Sequence, residues 1–177
     1  MTEVKSFEPS LVAAAQAFFE RMPEGDRTFF KEDVLDAHAV AGWADDHRSQ
    51  RLVAGADDGS VVGYVAIIPG VGWSSHVGEL RLVVDPEHRR TGLGRTLARQ
   101  GLLRAMQAGL GKVYVEVVAD QEAAVSMFDA IGFEGEALLR GHVRDRTGEL
   151  RDLLVLSHAV DDNRALFATT GIDDALS

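Results

Sequence analysis

The segment "VVDPEHRRTGLGRTL", residues 83 to 97, most constrains what this chain of 177 residues can fold into. Its two valines are typical of the end of a buried strand, a turn follows, and two glycines lead into a helical run. A helix that begins here leaves its first backbone N–H groups unpaired and carries about half a positive charge at its N-terminus. The strand–turn–helix junction therefore predicts a binding site for a phosphate or pyrophosphate group.

Two glycines and three arginines give this junction its chemistry. Gly92 and Gly94 have no Cβ to keep a phosphate away from the backbone, and both can adopt positive φ. Positive charge comes from Arg89, Arg90 and Arg95. Two other phosphate-binding motifs fit poorly. A Walker P-loop needs Gly-x-x-x-x-Gly-Lys-Ser/Thr, which does not occur, and a dinucleotide fingerprint needs a third glycine or alanine where this chain has leucine.

The rest of the chain alternates between strand-like and helix-like segments. In order, the pattern predicts a strand at residues 4–7, helices at 11–22 and 31–46, a hairpin at 51–68, a strand at 78–84, a helix that ends at Gly109, a strand at 112–118, a helix at 121–131 and strands near 134–144 and 149–157. This order predicts an α/β (α+β) fold, with helices on the faces of a mixed sheet.

The length of the chain suits a single domain, which we place at residues 1–158. A polar tail follows at residues 159–177. The tail has two interpretations, a frayed end or a segment that packs on a second copy of the chain in a homodimer.

Composition narrows the classes of function. A net charge of -10 and a pI near 5.0 argue against a nucleic-acid partner and suit a cationic one. The absence of cysteine excludes disulfides and thiol nucleophiles, and the six histidines show no metal-binding spacing, so we predict no metal site. There is no apolar run of about 20 residues and no signal-peptide pattern, so we expect a cytoplasmic protein that does not associate with membranes.

The sequence "RRTGLG", read as Arg-x-x-Gly-x-Gly at a strand–turn–helix junction, resembles the acyl-CoA pyrophosphate loop of the GNAT N-acetyltransferase superfamily. The segment "VEVVADQEAAVSMFDAIGF" resembles the next strand and helix of that family. With the hairpin before and the two strands after, the resemblance covers about residues 4 to 157. It implies the GNAT fold, a mixed and mostly antiparallel sheet of about seven strands, flanked by about four helices, whose two central strands splay apart.

The resemblance also implies how acetyl-CoA would bind as a cosubstrate. The backbone of Leu82, Val83 and Val84 would hydrogen-bond the pantetheine arm, and an N–H group near Val83 would polarise the thioester carbonyl. The pyrophosphate would lie against Arg89, Arg90, Thr91, Gly92, Leu93, Gly94 and Arg95.

The following helix departs from the family at two positions that would also contact the cofactor. Gln121 stands where an asparagine is usual, and Phe128 stands where many members carry a tyrosine that protonates the departing thiolate. Phe128 has no proton to donate. A thiol with a pKa near 8.5 is a tolerable leaving group that water could protonate.

Transfer of an acetyl group to an amine needs a base, because a lysine-like amine has a pKa near 10.4. Glu79 matches a position where many family members place the catalytic glutamate, and Glu116 matches a second such position. An ion pair between Glu79 and Arg81, which share one face of a strand, would explain Glu79 equally well. Tyr64 and Tyr114 lie within strands, where packing is the expected role.

The sequence therefore predicts an enzyme, an acetyl-CoA-dependent N-acetyltransferase. It would transfer the acetyl group by direct attack in a ternary complex to a primary amine of a small molecule or a protein N-terminus. One alternative is a non-catalytic acyl-CoA sensor or regulatory module on the same fold, which Phe128 makes conceivable. Another is an interaction module that binds no nucleotide, against which the glycines and arginines of residues 89–95 argue.

Overall fold

The computed structural model of the chain describes residues 2–27 and 30–160. The described elements, in chain order, are β1 (Glu3–Ser6), α1 (Val12–Arg21), α2 (Glu24–Arg27), α3 (Ala37–Gly42), β2 (Gln50–Gly55), β3 (Val61–Pro69), β4 (Val77–Val84), α4 (Leu93–Gln107), β5 (Lys112–Val118), α5 (Glu122–Asp129), β6 (Glu134–Arg144) and β7 (Leu150–Ala159). None of the helices in these residues has the length and apolar character needed to cross a membrane.

The seven strands form one mixed sheet in the order β1-β2-β3-β4-β5-β7-β6. Every neighbouring pair is antiparallel except β4 and β5. These two parallel strands pair only from Val77 with Lys112 to Leu80 with Val115. Beyond that point, residues 81–84 pair with β3 and residues 116–118 with β7, and no pairing joins the two central strands elsewhere in the described chain. The predicted GNAT-type sheet with splayed central strands is confirmed.

Each face of the sheet has its own hydrophobic core. On one face, α4 and α5 pack through a cluster that includes Leu97, Leu102 and Phe128. On the other face, α1 and α3 pack through an aromatic cluster centred on Phe19. The ring of Phe19 lies edge-on to four others, with centroids 5.1 Å from Phe18, 5.5 Å from Phe30, 5.6 Å from Trp43 and 5.4 Å from Tyr64. These contacts hold Phe30, which precedes α3, against the centre of the sheet.

The predicted helix at residues 31–46 is wrong for its first half. Only Ala37–Gly42 is helical, and the Asp36 carboxylate caps it by accepting a hydrogen bond from the His38 N–H at 2.9 Å. Just before, the Asp33 carboxylate accepts the N–H groups of Leu35 and Asp36 at 3.2 Å. Side-chain bonds of this kind satisfy the backbone in a turn and so compete with a helix. The turn leaves Lys31 and Glu32 free to reach the sheet.

Other boundaries differ by a few residues. Helix α1 begins at Val12, because the hydroxyl of Ser10 hydrogen-bonds Glu8 instead of capping the helix. There are five α-helices rather than about four in the described residues, because the segment after α1 forms the short helix α2. Strand β7 continues to Ala159, and Val160 is buried with its N–H bonded to the Gly111 carbonyl at 3.0 Å. Of the predicted tail, residue 159 thus belongs to β7 and residue 160 is buried, whereas residues 161–177 lie outside the described chain.

Phe19→Ala should destabilise the protein by about 3–5 kcal/mol, because it removes a buried ring and leaves a cavity among four aromatic neighbours. Leu138→Ala is the control, since Leu138 is about half exposed on β6 and its truncation should change stability by roughly 0.5 kcal/mol or less. Urea unfolding of the two variants measures the difference. Similar losses in both would contradict the assignment of Phe19 to the centre of this core.

Candidate active site

The N-terminus of α4 forms an open, positively charged loop. Gly92 is the N-cap and has φ of 90°, a left-handed conformation, and a Cβ placed there would meet no other atom within 4 Å. Arg90 also has positive φ, at 62°. Neither Arg90 nor Arg95 has an ion-pair partner among the described residues, and both are exposed. The loop therefore offers free guanidinium groups and first-turn N–H groups to an anion.

The side chains of Arg89, Thr91 and Leu93 make contacts that hold the loop in place. The Arg89 guanidinium donates to the Val84 carbonyl at 3.1 Å and to the Asp26 carboxylate at 2.6 Å, which ties the loop to β4 and α2. The Thr91 hydroxyl donates to the His88 carbonyl at 2.7 Å. The Leu93 side chain is buried. Arg89 is thus already paired, unlike the two arginines that follow it in the predicted phosphate site.

Gly94 belongs to the predicted phosphate-binding loop and also packs closely against α5. A Cβ at this position would lie 3.1 Å from the Met127 sulfur of α5, so α4 and α5 approach closely here. A side chain at Gly94 would disturb helix packing, whereas one at Gly92 would project into open space. A substitution at Gly92 therefore tests ligand binding without a clash in the packing between α4 and α5.

Strand β4 presents its second half to the gap in the sheet. Leu82, Val83 and Val84 pair with β3 on one side, through Val65, Tyr64 and Gly63. On the other side no strand pairs with them in the described chain. Buried backbone groups need partners, so this free edge can accept an extended chain as an added strand would be accepted.

Gln121 and Phe128 occupy the two ends of α5. Gln121 is the N-cap residue of the helix, but its side chain forms no capping hydrogen bond. Phe128 is 3% exposed and packs edge-on against Phe133, with 5.2 Å between the ring centroids. Its ring is part of the core and offers no polar group to a ligand.

The two candidate bases meet on the opposite face of the sheet, where β4 and β5 diverge. One ammonium group joins them, because Lys31 Nζ lies 2.9 Å from Glu79 Oε1 and 3.0 Å from Glu116 Oε2. The predicted pairing of Glu79 with Arg81 is also present, at 3.0 Å. Both explanations of Glu79 therefore coexist, an ion pair with its strand neighbour and a carboxylate that faces Glu116.

The ion pairs continue from Glu79 into the aromatic core. Arg81 bridges Glu79 and Glu32, with Nη1 3.0 Å from Glu32 Oε2, and Glu32 in turn binds Arg51 at 2.9 Å. Arg51 is buried, donates a hydrogen bond to the Tyr64 hydroxyl and lies 4.6 Å from the centre of the Trp43 ring. The carboxylates of Glu79 and Glu32 are thus held by fixed guanidinium groups, whereas Lys31 is a flexible partner that is 44% exposed.

These contacts set the protonation states of the site. Burial of the Glu79 carboxyl opposes its ionisation, but hydrogen bonds from Arg81 and Lys31 outweigh burial and lower the pKa of Glu79 below its ordinary value. Burial likewise opposes the charge of Lys31, but its bonds to Glu79 and Glu116 outweigh that effect and raise the pKa of Lys31. At neutral pH Glu79 is a carboxylate and Lys31 is an ammonium ion.

Tyr114 was expected to serve packing, yet it lines this site. It shares a strand face with Glu116, pairs in register with Glu79 and is only partly buried. Burial, followed by the charge of Glu79, raises the pKa of the Tyr114 phenol. Alternation along "KVYVEVV" places Tyr114 beside Glu116 and could have indicated this. Tyr64, by contrast, is fully buried, as expected.

A shallow cleft leads to the end of β5. Its walls are α2 and the turn between β6 and β7, and its lining residues are Gly25, Val118, Asp120, Gln121, Asp145, Arg146, Thr147 and Arg151. Arg146 of the turn and Glu24 of α2 form an ion pair across it at 2.6 Å, and both side chains are mostly exposed. A pair so exposed contributes little to stability.

Acidification should remove stability that Glu79 supplies. Because the folded-state pKa of Glu79 lies below its ordinary value of 4.5, its contribution is present above that value and is lost as the pH falls through the folded-state pKa. Glu79→Gln should be about 1–3 kcal/mol less stable than the wild type at neutral pH. Between about pH 6 and about pH 3, the free energy of unfolding of this variant should fall by less than that of the wild type, as measured by urea unfolding. Glu134→Gln, at an exposed carboxyl, should match the wild type, and equal losses in all three proteins would contradict the assignment.

Comparison with known proteins finds acetyltransferases. The model of the acetyltransferase (GNAT) family matches residues 11–133. Mycothiol acetyltransferase from Kocuria rhizophila is 37% identical over 119 residues, which are 66% of this chain and 39% of that protein. Ribosomal protein bS18-alanine N-acetyltransferase from Escherichia coli K12 is 29% identical over 76 residues, 43% of this chain and 51% of that protein. This chain spans about two fifths of the mycothiol acetyltransferases that it matches.

The fold has close counterparts among solved structures. The structure of yncA from Salmonella typhimurium with its cofactor acetyl-CoA superposes with a TM-score of 0.77, covering 91% of this chain and 95% of that one. At 17% identity this likeness establishes the fold alone. The family match covers more than half of the chain, from α1 through the loop before α4 to the end of the α5 segment. The chain therefore belongs to the GNAT acetyltransferase family.

Proposed function

We propose that this chain transfers an acetyl group from acetyl-CoA to a primary amine by direct attack in a ternary complex. The observation that carries the proposal is the position of Lys31, whose primary ammonium group lies between Glu79 and Glu116 at the opening of the sheet. Two carboxylates on diverging strands thus already bind a cation of the class that an acceptor would present.

The residues around the opening fit acetyl-CoA, which would supply an acetyl thioester. The loop at residues 90–95 has two unpaired guanidinium groups, free first-turn N–H groups and open space at Gly92, all suited to a pyrophosphate. The free edge of β4 at residues 82–84 is suited to the amide groups of a pantetheine arm. These two features lie at successive positions along the chain, so one extended ligand could contact both.

The carboxylates would bind and deprotonate the acceptor. An amine arrives at neutral pH as an ammonium ion, and Glu79 and Glu116 would hold it in the way they hold Lys31. Glu79 is ionised and can therefore accept a proton, directly or through water. Its lowered pKa makes it a weak base while Lys31 and Arg81 both bind it, so departure of Lys31 would strengthen it. An N–H group near Val83 would stabilise the negative oxygen that forms during attack.

Phe128 makes solvent the proton source for the departing thiolate. Its buried ring carries no exchangeable proton. A thiol with a pKa near 8.5 can take its proton from water. Tyr114 keeps its phenolic proton at neutral pH because its pKa is raised, so we assign it as a hydrogen-bond donor in the acceptor site and not as the base.

For the acceptor, we propose only its chemical class. One group of relatives is named for mycothiol and another for an alanine of ribosomal protein bS18, so the family includes more than one kind of acceptor. The pair of carboxylates favours a cationic amine, either of a small molecule or of a protein N-terminus.

The second candidate function is an acyl-CoA sensor on the same fold, which the buried Phe128 favours. Binding of acetyl-CoA without CoA release across a panel of amines would support the sensor.

Gly92→Ala should weaken acetyl-CoA binding, because its Cβ would enter the space proposed for the pyrophosphate. Gly109→Ala is the matched control at the other end of α4, since Gly109 also has positive φ, at 75°, and open surroundings. Both variants should lose about 1–2 kcal/mol of stability from the strained backbone. In calorimetric titrations only Gly92→Ala should lose affinity, by about tenfold or more. Unchanged affinity in Gly92→Ala would contradict the proposed pyrophosphate site.

Glu79→Gln should lower kcat by about 10²-fold or more, the usual effect of removing a general base, and Glu116→Gln should lower it less. Glu136→Gln is the control, because Glu136 also pairs with a lysine, Lys112, at 2.6 Å on β6. Release of free CoA is followed against a panel of primary amines. Full activity in both Glu79→Gln and Glu116→Gln would exclude carboxylate base catalysis at this site.

A further inference from the structure

Lys31 is unusual among the lysines of this chain. The sequence has only three, Lys5, Lys31 and Lys112. Lys5 pairs with Glu3 of its own strand at 2.9 Å, and Lys112 pairs with Glu136 at 2.6 Å, so each contacts a single carboxylate. Lys31 contacts two, one on each of the strands that diverge. Its amine therefore lies where the acceptor amine is proposed to bind.

The Lys31 side chain is more accessible to solvent than the groups that bind it. Residues 31–36 lie outside any helix. The side chain is 44% exposed, whereas those of Glu79 and Arg81 are 11% and 16% exposed. Charge neutralisation alone would be met by one contact to either glutamate. Simultaneous contact with both candidate bases is the arrangement proposed above for an amine acceptor.

We propose that Lys31 is a self-acetylation site, whose Nζ accepts an acetyl group from acetyl-CoA bound to the same chain. The inference rests on the proposed function, because it needs acetyl-CoA as the donor. It adds a covalent modification of the chain itself to the transfer to an external amine.

The step balances as an ordinary amide formation. The Lys31 ammonium loses one proton to Glu79 or Glu116, which passes it to solvent. The free electron pair of Nζ forms a bond to the acetyl carbonyl carbon, and the carbon–sulfur bond breaks with its electron pair on sulfur. Nitrogen then loses a second proton, and sulfur gains one from water. The products are N-acetyl-lysine, free CoA thiol and one released proton.

Acetylation would change the charge of the site. The ion-paired network joins three cations, Lys31, Arg81 and Arg51, to four carboxylates, Glu79, Glu116, Glu32 and Asp46. Loss of the Lys31 charge leaves two cations. Glu116 then has no ion-pair partner among the described residues, while Glu79 keeps Arg81. The modified site would bear one more unbalanced negative charge toward an incoming cationic amine.

Peptide mass spectrometry tests the proposal on the full chain. The purified protein is incubated with acetyl-CoA, and acetyl occupancy at Lys5, Lys31 and Lys112 is followed with time at several protein concentrations. Lys31 should be acetylated about tenfold or more faster than Lys5, at a rate independent of protein concentration, because the bound donor reacts within one molecule. Acetyl phosphate serves as a donor without the CoA moiety, and with it the preference for Lys31 should disappear. Glu79→Gln should slow acetylation of Lys31 and leave Lys5 unchanged.

The outcomes separate this inference from the proposed function. Calorimetric binding of acetyl-CoA and release of CoA with external amines are measured on the same preparation. If acetyl-CoA binds and external amines are acetylated while Lys31 reacts no faster than Lys5, self-acetylation is wrong and the proposed function stands. A Lys31 rate that rises in proportion to protein concentration would also overturn the intramolecular step. Failure of acetyl-CoA to bind would overturn both proposals.

Discussion

The arrangement of this molecule depends on hydrogen bonds that are not made between its two central strands. Strands β4 and β5 pair as far as Leu80 and Val115 and then separate, so the middle of a seven-stranded sheet contains two backbone edges without a strand partner. Backbone N–H and C=O groups near a core are costly to leave unsatisfied. The fold tolerates the gap because the hydrophobic core on the α4 and α5 face contains residues from both halves of the sheet, including Leu80 of β4 and Leu156 of β7. The gap also gives a ligand access to the centre of the sheet.

The two faces of the sheet divide the chemistry at this gap. The α4 side carries the loop at residues 90–95, with positive charge and exposed backbone. The α1 and α3 side carries carboxylates. Arg81 and Arg51 bind Glu32, and Arg51 is anchored in turn by Tyr64 and the aromatic core. An anionic group and a cationic group could thus approach one opening from opposite sides without crossing. This separation suits a reaction between a CoA thioester and an amine.

Much of this could be predicted from the sequence, because the signals are local. Alternation along "GELRLVV" and "KVYVEVV" placed Glu79 and Glu116 on strand faces, and glycine with arginine at residues 89–95 marked the loop. Lys31 could not be found in this way. Its role depends on a turn stabilised by Asp33 and on contacts to strands that lie about 50 and 80 residues away in the chain, and helix propensity favoured the wrong local structure. Tyr114 was assigned to packing, although the same alternation places it on the strand face of Glu116.

In the proposed complex, acetyl-CoA binds in the gap, with its pantetheine arm on the edge of β4 and its pyrophosphate on the first turn of α4. Amide hydrogen exchange with and without acetyl-CoA tests this claim directly, because it reports each N–H group separately. We expect acetyl-CoA to slow exchange at residues 92–95 and at Leu82 and Val84, whose backbone groups alternate with those of Val83 and face the gap. The hairpin turn between β2 and β3 should be unchanged. Protection confined to other parts of the chain, or no change at these amides under saturating acetyl-CoA, would contradict the claim.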